Sequence, residues 1–321
     1  MSTTAIALKF QDNHPPESDF TQEALKGLLS TPKRISPKFF YDEIGSRLFD
    51  AICHTEEYYP TRTESRIIKA NVEEIARQIG RGCLLVEPGS GNSKKVRELL
   101  TAVKPHSYLP MDISKAFLKK EAAKVASEFP WLNVHAVCSD FTVSMDIPLY
   151  PSGVRRVAFF PGSSIGNFEP NEATEFLKSI HKMVGGDGGL LIGVDLKKDT
   201  PTLNAAYNDK AGITAKFNMN LLVRMNKELG ANFDTNTFKH SAFYHEELGR
   251  IEMHLVSLKE QTVKVGTNTI LFQKGETIHT ENSYKYSLSE FEQLAKAAGF
   301  TLETVWMDQE HKFSLQYFNR K

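Results

Sequence analysis

The sequence predicts an α/β fold in which parallel strands alternate with helices, and three observations support this prediction. Apolar runs of strand length recur along the chain, and each is followed by a polar or glycine-containing turn. The first run leads through a Gly-x-Gly turn into a segment whose apolar residues have helical spacing. Two strand candidates near the carboxyl end are joined by a polar turn, which predicts an antiparallel hairpin that closes the sheet.

The region that precedes the sheet is predicted to contain little regular structure at its start. Residues up to about Asp19 are polar, which favours a loose arm, and a short helix is expected over 20–29. Two adjacent tyrosines before Pro60 favour an extended turn, because the residue preceding a proline avoids the helical region. Thr63 is then predicted to cap the helix that leads into the first strand.

The first strand of the sheet ends at Glu87 and is followed by a turn that contains Gly89 and Gly91. A side chain on either glycine would hold a ligand away from the backbone amides at the start of the next helix. A dinucleotide-binding fingerprint would place a third glycine at the position of Lys94, where this chain has none. The turn therefore indicates a nucleotide-type ligand but argues against NAD.

Three further strands end in residues that can bind a nucleoside. Asp112 follows about twenty residues after the first turn, a position that suits the hydroxyls of a ribose. Asp140 stands beside Phe141, a pair that can accept a hydrogen bond from an exocyclic amine and cover a purine face. The next run opens into a polar turn at 161–167. Because open α/β sheets bind ligands at the carboxyl ends of their strands, these residues together resemble the S-adenosylmethionine site of Rossmann-like class I methyltransferases, whose cofactor has no phosphate.

The remaining chain predicts a second domain that interrupts the first. A helix capped by Asn171 and a fifth strand ending in Asp195 follow the polar turn, and a capping box at Ser287 opens a helix before the terminal hairpin. The segment in between is too long to be a loop. We assign the cofactor domain to 61–197 and 287–321, and the substrate-binding domain to 1–60 and 198–286.

Composition excludes several classes of function. The 321 residues include 39 basic and 39 acidic ones, so no nucleic acid or anionic membrane is expected as a partner. No apolar run reaches membrane-spanning length, the first residues do not form a signal peptide, and the three cysteines are few, so we expect a cytoplasmic protein. The ten histidines form no HExxH pattern and CxxC is missing, so no metal site is expected.

Seven short motifs stand in the order expected for one enzyme family. They are Pro37–Asp42, Glu57–Arg62, Gly89–Gly91, Ser164–Asn167, Ala206–Gly212, Arg250–Met253 and Thr280–Ser283. Together they resemble the histidine-specific N-methyltransferases of ergothioneine biosynthesis, which convert L-histidine to its trimethylbetaine, hercynine. The resemblance covers nearly the whole chain after about Ser30, and it implies a class I methyltransferase core with a separate substrate domain.

The resemblance implies a role for individual residues at matching positions. Cofactor contacts are expected at Tyr41, Gly89, Lys95, Asp112, Asp140 and Phe141. Substrate contacts are expected at Tyr58, Asn167, Tyr207, Met253, Glu281 and Ser283. In the family, the counterparts of Asn167 and Tyr207 hold the substrate carboxylate, while those of Glu281 and Ser283 face the imidazole. Tyr41 is the candidate catalytic residue, with a hydroxyl close to the amine as it gains methyl groups.

Two positions depart from the family pattern. Pro88 stands where an aliphatic residue is commoner, and Asn282 replaces a residue that is usually apolar. If 280–283 is extended, Glu281 and Ser283 point to one face of the strand and Asn282 to the other. A carboxylate and a hydroxyl on one face match a neutral imidazole, which has one N–H and one bare nitrogen.

Three alternatives remain at this point. A related betaine synthase could act on another aromatic amino acid such as tryptophan, although an indole would be served better by small apolar residues at Met253 and Glu281. A non-catalytic protein could bind S-adenosylmethionine and signal through a partner. An NAD oxidoreductase would need the missing third glycine. We expect a monomer that acts on a small molecule, L-histidine.

Overall fold

The computed structural model describes residues 8–13, 18–142, 145, 147–148, 150 and 153–320. The chain divides into two compact units. Unit 1 comprises Met1–His14, Pro60–Lys197 and Lys285–Lys321, and unit 2 comprises Pro15–Tyr59 and Lys198–Tyr284. None of the helices in the described ranges combines the length and the apolar character that crossing a membrane requires.

The helices and strands follow in chain order. The α-helices are α1 (Ser18–Leu28), α2 (Glu43–Ile52), α3 (Tyr59–Ile79), α4 (Lys94–Val103), α5 (Lys115–Glu128), α6 (Pro170–Val184), α7 (Thr200–Tyr207), α8 (Ile213–Leu229) and α9 (Leu288–Ala297). Short 3-10 helices lie at Pro37–Phe40, Ser164–Asn167 and Thr235–Thr237. The strands are β1 (Lys9–Asp12), β2 (Lys33–Arg34), β3 (Leu84–Pro88), β4 (Ser107–Asp112), β5 (Asn133–Cys138), β6 (Arg156–Phe160), β7 (Gly189–Asp195), β8 (Phe238–His245), β9 (Arg250–Ser257), β10 (Gln261–Val265), β11 (Asn268–Phe272), β12 (Thr277–Tyr284), β13 (Phe300–Met307) and β14 (Phe313–Arg320).

Unit 1 is built on an eight-stranded sheet with the order β1-β5-β4-β3-β6-β7-β14-β13. The first six strands in that order are parallel, and β14 runs antiparallel to both β7 and β13. All residues of β3 and β7 are buried, which is why these strands read as continuous apolar runs. The predicted α/β core with its antiparallel terminal hairpin is confirmed.

The strand order places a topological switch point between β3 and β6. After β3 the chain moves outward through β4 and β5, whereas β6 and β7 extend the sheet on the other side. Connections that leave neighbouring strands in opposite directions open a crevice at their carboxyl ends, where ligands bind in such sheets. The turns after β3 and β6 therefore line the expected ligand position.

Unit 2 contains a four-stranded sheet with the order β2-β12-β9-β8 and a two-stranded ribbon of β10 and β11. Helices α1, α2, α7 and α8 contribute to one apolar core with this sheet. Aromatic pairs dominate that core, including the stacked rings of Phe40 and Phe217, whose centroids are 4.5 Å apart. Such pairs contribute about 0.5–1.5 kcal/mol each beyond the area that they bury.

The structure corrects three expectations about the amino-terminal region and the helix starts. Residues Lys9–Asp12 form β1, which pairs with β5, so this stretch is neither a loose arm nor part of the same unit as 18–59. Helix α3 begins at Tyr59, so Thr63 lies inside the helix and is not its cap. Pro60 is tolerated in the first turn because its missing N–H has no intrahelical partner there.

Helix α6 is capped by Glu169 and not by Asn171. Pro170 occupies the first helical position, which places the cap two residues earlier than expected. The backbone N–H of Glu169 donates to the Glu172 carboxylate at 3.1 Å. The capping box predicted at Ser287 is confirmed, because Ser287 Oγ accepts from the N–H of Glu290 and the Glu290 carboxylate accepts from the N–H of Ser287.

Candidate active site

The turn after β3 requires the backbone freedom of glycine. Gly89 has φ +66° and Gly91 has φ +51°, values that other residues rarely adopt. A Cβ on Gly89 would lie 3.3 Å from the ring of Phe141. The turn therefore passes directly beneath an aromatic ring, and the predicted cofactor residues Gly89 and Phe141 are neighbours.

Asp112 stands at the end of β4 and faces the same turn. Its carboxylate accepts the N–H of Gly91 at 3.0 Å through one oxygen and the N–H of Ser114 at 2.9 Å through the other. Burial raises the pKa of Asp112, while the N–H groups of Ser114, Gly91 and Ile113 oppose that rise by stabilising the charged form. Each carboxylate oxygen has a second lone pair, so the group can accept two more hydrogen bonds.

Asp140 and Phe141 follow β5 and are held in place by different contacts. The buried Asp140 carboxylate accepts from the backbone N–H of Thr142 at 3.0 Å and from its hydroxyl at 2.5 Å. The Phe141 ring meets Phe160 at a centroid distance of 6.1 Å and Phe176 at 5.9 Å. The aromatic ring is thus supported from the sheet and from α6 while it covers the glycine turn.

Lys95 lies in the first turn of α4 and pairs with Glu64, a carboxylate on α3 that is 0% exposed. The backbone N–H of Gly162 donates to both oxygens of Glu64, at 3.0 and 2.9 Å. A Cβ on Gly162 would lie 3.3 Å from the Lys95 ammonium. The ion pair therefore adjoins the turn that follows β6.

Glu87, the acid at the end of the first strand, is not available to a ligand. It is 1% exposed and accepts a short hydrogen bond from the hydroxyl of Tyr108. Burial raises the pKa of Glu87 to about 8, although the Tyr108 hydrogen bond and the Lys95 ammonium act in the opposite direction. The acid that ends β7 is also engaged, because Asp195 forms a buried ion pair with Lys285 at 2.8 Å.

Asn167 is the last residue of the 3-10 helix that follows β6, and its side chain is half-buried. Ser163 begins this segment in the left-handed region, with φ 56°. Its Oγ accepts the backbone N–H of Asp195 at 2.9 Å, which ties the segment to the end of β7. The predicted substrate residue Asn167 is therefore held at the carboxyl edge of the unit 1 sheet.

In unit 2, three of the predicted substrate residues share one face of the sheet. Glu281 on β12 lies opposite Met253 on β9, and Ser283 lies opposite Ile251. Residues directly opposite each other in an antiparallel pair point to the same face. Met253 is 1% exposed and Ser283 4%, whereas Glu281 is half-buried. The extended conformation and the shared face of Glu281 and Ser283 agree with the sequence prediction.

Tyr207 and Tyr58 complete this face. The hydroxyl of Tyr207, at the end of α7, donates to Ser283 Oγ at 2.8 Å. The Tyr58 ring meets the Tyr207 ring edge-on at a centroid distance of 6.1 Å. Both tyrosines are buried, at 8% and 7% exposure. Polar atoms of three predicted substrate residues are therefore gathered within an aromatic environment.

Tyr41 lies close enough to Tyr58 to affect the pKa of its phenol. Burial raises the pKa of Tyr58 well above its ordinary value, and Tyr207, Cys53, Glu281 and Tyr41 raise it further. The Tyr58 phenol is therefore neutral at physiological pH and can donate a hydrogen bond. Tyr41, the predicted catalytic residue, follows the 3-10 helix at 37–40.

Comparison with known protein families shows which family has this sequence. The family described as histidine-specific, S-adenosylmethionine-dependent methyltransferases matches residues 20–320. The chain belongs to this family. The predicted enzyme class and its cofactor, S-adenosylmethionine, are thereby confirmed.

Individual relatives are similar to this chain over most of its length. The histidine N-alpha-methyltransferase of Mycobacterium tuberculosis is 38% identical over 300 residues, which cover 92% of each protein. The histidine N-alpha-methyltransferase of Mycolicibacterium smegmatis is 38% identical over 309 residues, which cover 93% of this chain and 95% of that protein. Ergothioneine biosynthesis protein 1 of Neurospora crassa is 32% identical over 284 residues, 86% of this chain and 32% of that protein.

The reverse face of β9 and β12 carries a cluster that the sequence patterns did not predict. Ligand atoms of Glu252, His254 and His279 lie within 4.8 Å of one another. Arg250 donates to Glu252 Oε1 at 2.9 and 2.7 Å, and His254 Nε2 lies 2.9 Å from Oε2. Arg250 balances the charge of the Glu252 carboxylate, and the His279 ring stacks on the His254 ring at a centroid distance of 4.9 Å. Motifs within one segment could not predict this cluster, because its residues come from two strands, β9 and β12.

The sequence patterns also did not predict Glu64 as the partner of Lys95 and Gly162. The residue stands 31 positions before Lys95 and 98 before Gly162, so no local pattern connects the three. One feature of the sequence could have indicated it. Glu64 stands two positions after the aromatic motif at 57–62, on the face of α3 that points into unit 1. Its carboxylate, enclosed within unit 1, had no predicted partner.

Proposed function

We propose that this enzyme transfers three methyl groups from S-adenosylmethionine to the α-amino nitrogen of L-histidine and so forms hercynine, a step in ergothioneine biosynthesis. The observation that carries the proposal is the shared face of Met253, Tyr207, Glu281 and Ser283 in unit 2. A carboxylate beside a hydroxyl, within buried aromatic and apolar surroundings, is complementary to a neutral imidazole. Membership of the family and 38% identity to histidine methyltransferases support the same substrate.

We propose that the cofactor is bound by the turns of unit 1. The residues there fit it, since Gly89 and Gly91 place no side chain on the turn before α4 and the Asp112 carboxylate can accept two further hydrogen bonds. Asp112 would hold the ribose, and Asp140 with Phe141 would hold the adenine. The cofactor supplies an electrophilic methyl group on a sulfonium. Lys95 and Tyr41 are the remaining proposed contacts, which the family resemblance supports.

We propose that the amino acid is oriented by two polar pairs. Asn167 and Tyr207 would bind the carboxylate, while Glu281 and Ser283 would bind the imidazole. Fixing both ends of the substrate presents the α-nitrogen and withholds the ring nitrogens. Such alignment is the main source of rate in a displacement, for which effective molarities of about 10⁵–10⁸ M are the reference.

The residues of the proposed substrate site suit an amine that becomes a permanently charged quaternary ammonium. A free amine is the nucleophile, so an ammonium must lose its proton before each transfer. A strong base is unnecessary, because an amine leaves some free form at neutral pH. The neutral Tyr58 phenol cannot act as a base but offers an aromatic face. Tyr41 and Tyr58 would stabilise a methylated ammonium by cation–π attraction, worth about 0.5–2 kcal/mol.

The organisation of the protein follows from the same proposal. We propose that unit 1 is the cofactor domain and unit 2 the substrate-binding domain. We further propose a cytoplasmic monomer with no nucleic acid or membrane partner. The equal numbers of basic and acidic residues, 39 of each, support the absence of a polyanion-binding surface.

The test is to incubate the purified protein with S-adenosylmethionine and an equimolar mixture of amino acids, and to identify methylated products by mass spectrometry. We expect trimethylated histidine as the main product, with fragment ions that place all three methyl groups on the α-nitrogen. A methyl group on the imidazole would contradict the proposed orientation. Preferential methylation of tryptophan would contradict the proposed substrate.

A further inference from the structure

The strongest unexplained feature of unit 1 is the carboxylate of Glu64. It is 0% exposed, although it lies on a long helix with an extensive solvent-facing side. Both of its oxygens accept the N–H of Gly162, and it pairs with the ammonium of Lys95. A buried ion pair contributes little net stability relative to well-packed apolar residues. Its presence therefore calls for a reason other than stability.

Lys95 occupies an unfavourable place for a cation. It is the second residue of α4, and the positive end of a helix dipole repels a cation in the first turn. That first turn contains no acidic residue to compensate. Within the described part of the chain, Glu64 is the carboxylate at ion-pair distance from Lys95. Glu64 therefore keeps the ammonium at a position that the helix alone would disfavour.

Gly162 lies directly beside the Lys95 ammonium. Its φ is +84°, and a Cβ at this position would lie 3.3 Å from Lys95 Nζ. The turn after β6 and the helix that follows β3 thus meet at a single buried carboxylate. These two connections flank the topological switch point, where the cofactor is proposed to bind. An ammonium has three N–H donors, so Lys95 can bind an anion while it pairs with Glu64.

We propose that Glu64 is a positioning residue that aims the Lys95 ammonium at the carboxylate of the cofactor's amino-acid end. This inference rests on the proposed function, in which Lys95 contacts S-adenosylmethionine. The carboxylate is the anionic group of that cofactor, so it is the group a lysine recognises. Glu64 also accepts the Gly162 N–H, a hydrogen bond that a neutral side chain of the same size can keep, whereas the loss of its charge releases the ammonium.

The test compares two ligands by isothermal titration calorimetry. S-adenosylhomocysteine carries the amino-acid end, whereas 5′-methylthioadenosine keeps the adenosine and lacks that end. Glu64→Gln preserves size and one acceptor oxygen but removes the charge. We expect it to weaken S-adenosylhomocysteine binding by about tenfold or more, the loss of a charge-assisted hydrogen bond, and to leave methylthioadenosine binding within about twofold.

Glu98→Gln is the matched control. Glu98 lies on α4, as Lys95 does, and pairs with Lys69 at 3.2 Å near the surface. This substitution should leave the affinity for both ligands unchanged. Equal weakening of both ligands by Glu64→Gln would show that Glu64 only supports the fold, and unchanged affinity for both would show that it does not act on Lys95. Either result overturns the inference.

A second pair of variants keeps the test decisive if Glu64→Gln does not fold. Lys95→Met and Lys95→Met/Glu64→Gln leave no unpaired ammonium. If Glu64 acts through Lys95, the second substitution should weaken S-adenosylhomocysteine binding by less than about twofold beyond the first. A further tenfold loss would overturn the inference. The proposed function fails separately, if the parent enzyme binds S-adenosylhomocysteine but yields no methylated histidine.

Discussion

Removal of the Asp112 carboxylate should weaken cofactor binding by an amount that follows from its hydrogen bonds. Each oxygen accepts one backbone N–H, from Gly91 at 3.0 Å or Ser114 at 2.9 Å, and each has one further lone pair for a ribose hydroxyl. A hydrogen bond to a charged group contributes about 1.5–3 kcal/mol. Asp112→Asn, which loses the charge and one acceptor, should therefore weaken S-adenosylhomocysteine binding by about 10- to 100-fold. Asp112→Ala should weaken it by about 100-fold or more.

Calorimetry with a 2′-deoxy analogue of S-adenosylhomocysteine separates this role from damage to the turn. The parent enzyme should lose about tenfold in affinity when the hydroxyl is removed, whereas Asp112→Ala should lose less than about twofold. Asp308→Ala is the matched control, because Asp308 also accepts backbone N–H bonds, from Lys312 and Phe313 in the turn before β14. It should leave cofactor affinity unchanged. The assignment of Asp112 is wrong if removal of the hydroxyl weakens binding to the parent and to Asp112→Ala by the same factor. It is also wrong if NAD binds more tightly than S-adenosylhomocysteine.

Two further predictions concern selectivity and pH. Glu281→Ala should lower kcat/KM for histidine by at least about tenfold, because one charge-assisted bond is lost, and should lower it much less for tryptophan, above all with a smaller residue at Met253. Steady-state kinetics that show parental activity on histidine would make Glu281 a surface carboxylate only. Burial raises the pKa of Glu87 from its ordinary value of 4.5 to about 8 in the folded protein, so the free energy of unfolding is highest below pH 4.5 and falls as the pH rises from 4.5 to 8. Glu87→Gln should therefore gain about 2–3 kcal/mol over the parent between pH 5 and pH 7 in urea unfolding, and a constant difference would contradict the raised pKa.

Local patterns in the sequence were sufficient to predict the elements that surround the site. Apolar runs ending in Gly89, Asp112 and Asp140 predicted the strands and their ligand-facing ends, because parallel strands buried on both faces must be apolar throughout. The capping box at Ser287 and the two-residue period that puts Glu281 and Ser283 on one face depend on neighbours within a few residues. Such features are readable without the rest of the molecule.

Several residues to which the family resemblance assigns a shared role lie close together in the structure. The structure brings Tyr207 to Ser283 and places Met253 opposite Glu281, as a pocket for one ligand requires. It also holds Phe141 over Gly89. The assignment of each residue to cofactor or substrate stays a prediction, and the binding experiments above test it.

What the sequence by itself determined is the type of each element and the face on which its polar residues lie, since both follow from backbone periods of a few residues. What only the tertiary structure decided is which of several similar acids can meet a ligand. Asp112 and Glu87 both end apolar strands, yet the hydroxyl of Tyr108 engages Glu87 within the core while Asp112 faces the glycine turn. Strand order and long-range partners decide this difference. The Glu64 carboxylate meets Gly162 across 98 positions because the sheet, and not the local chain, brings their elements together.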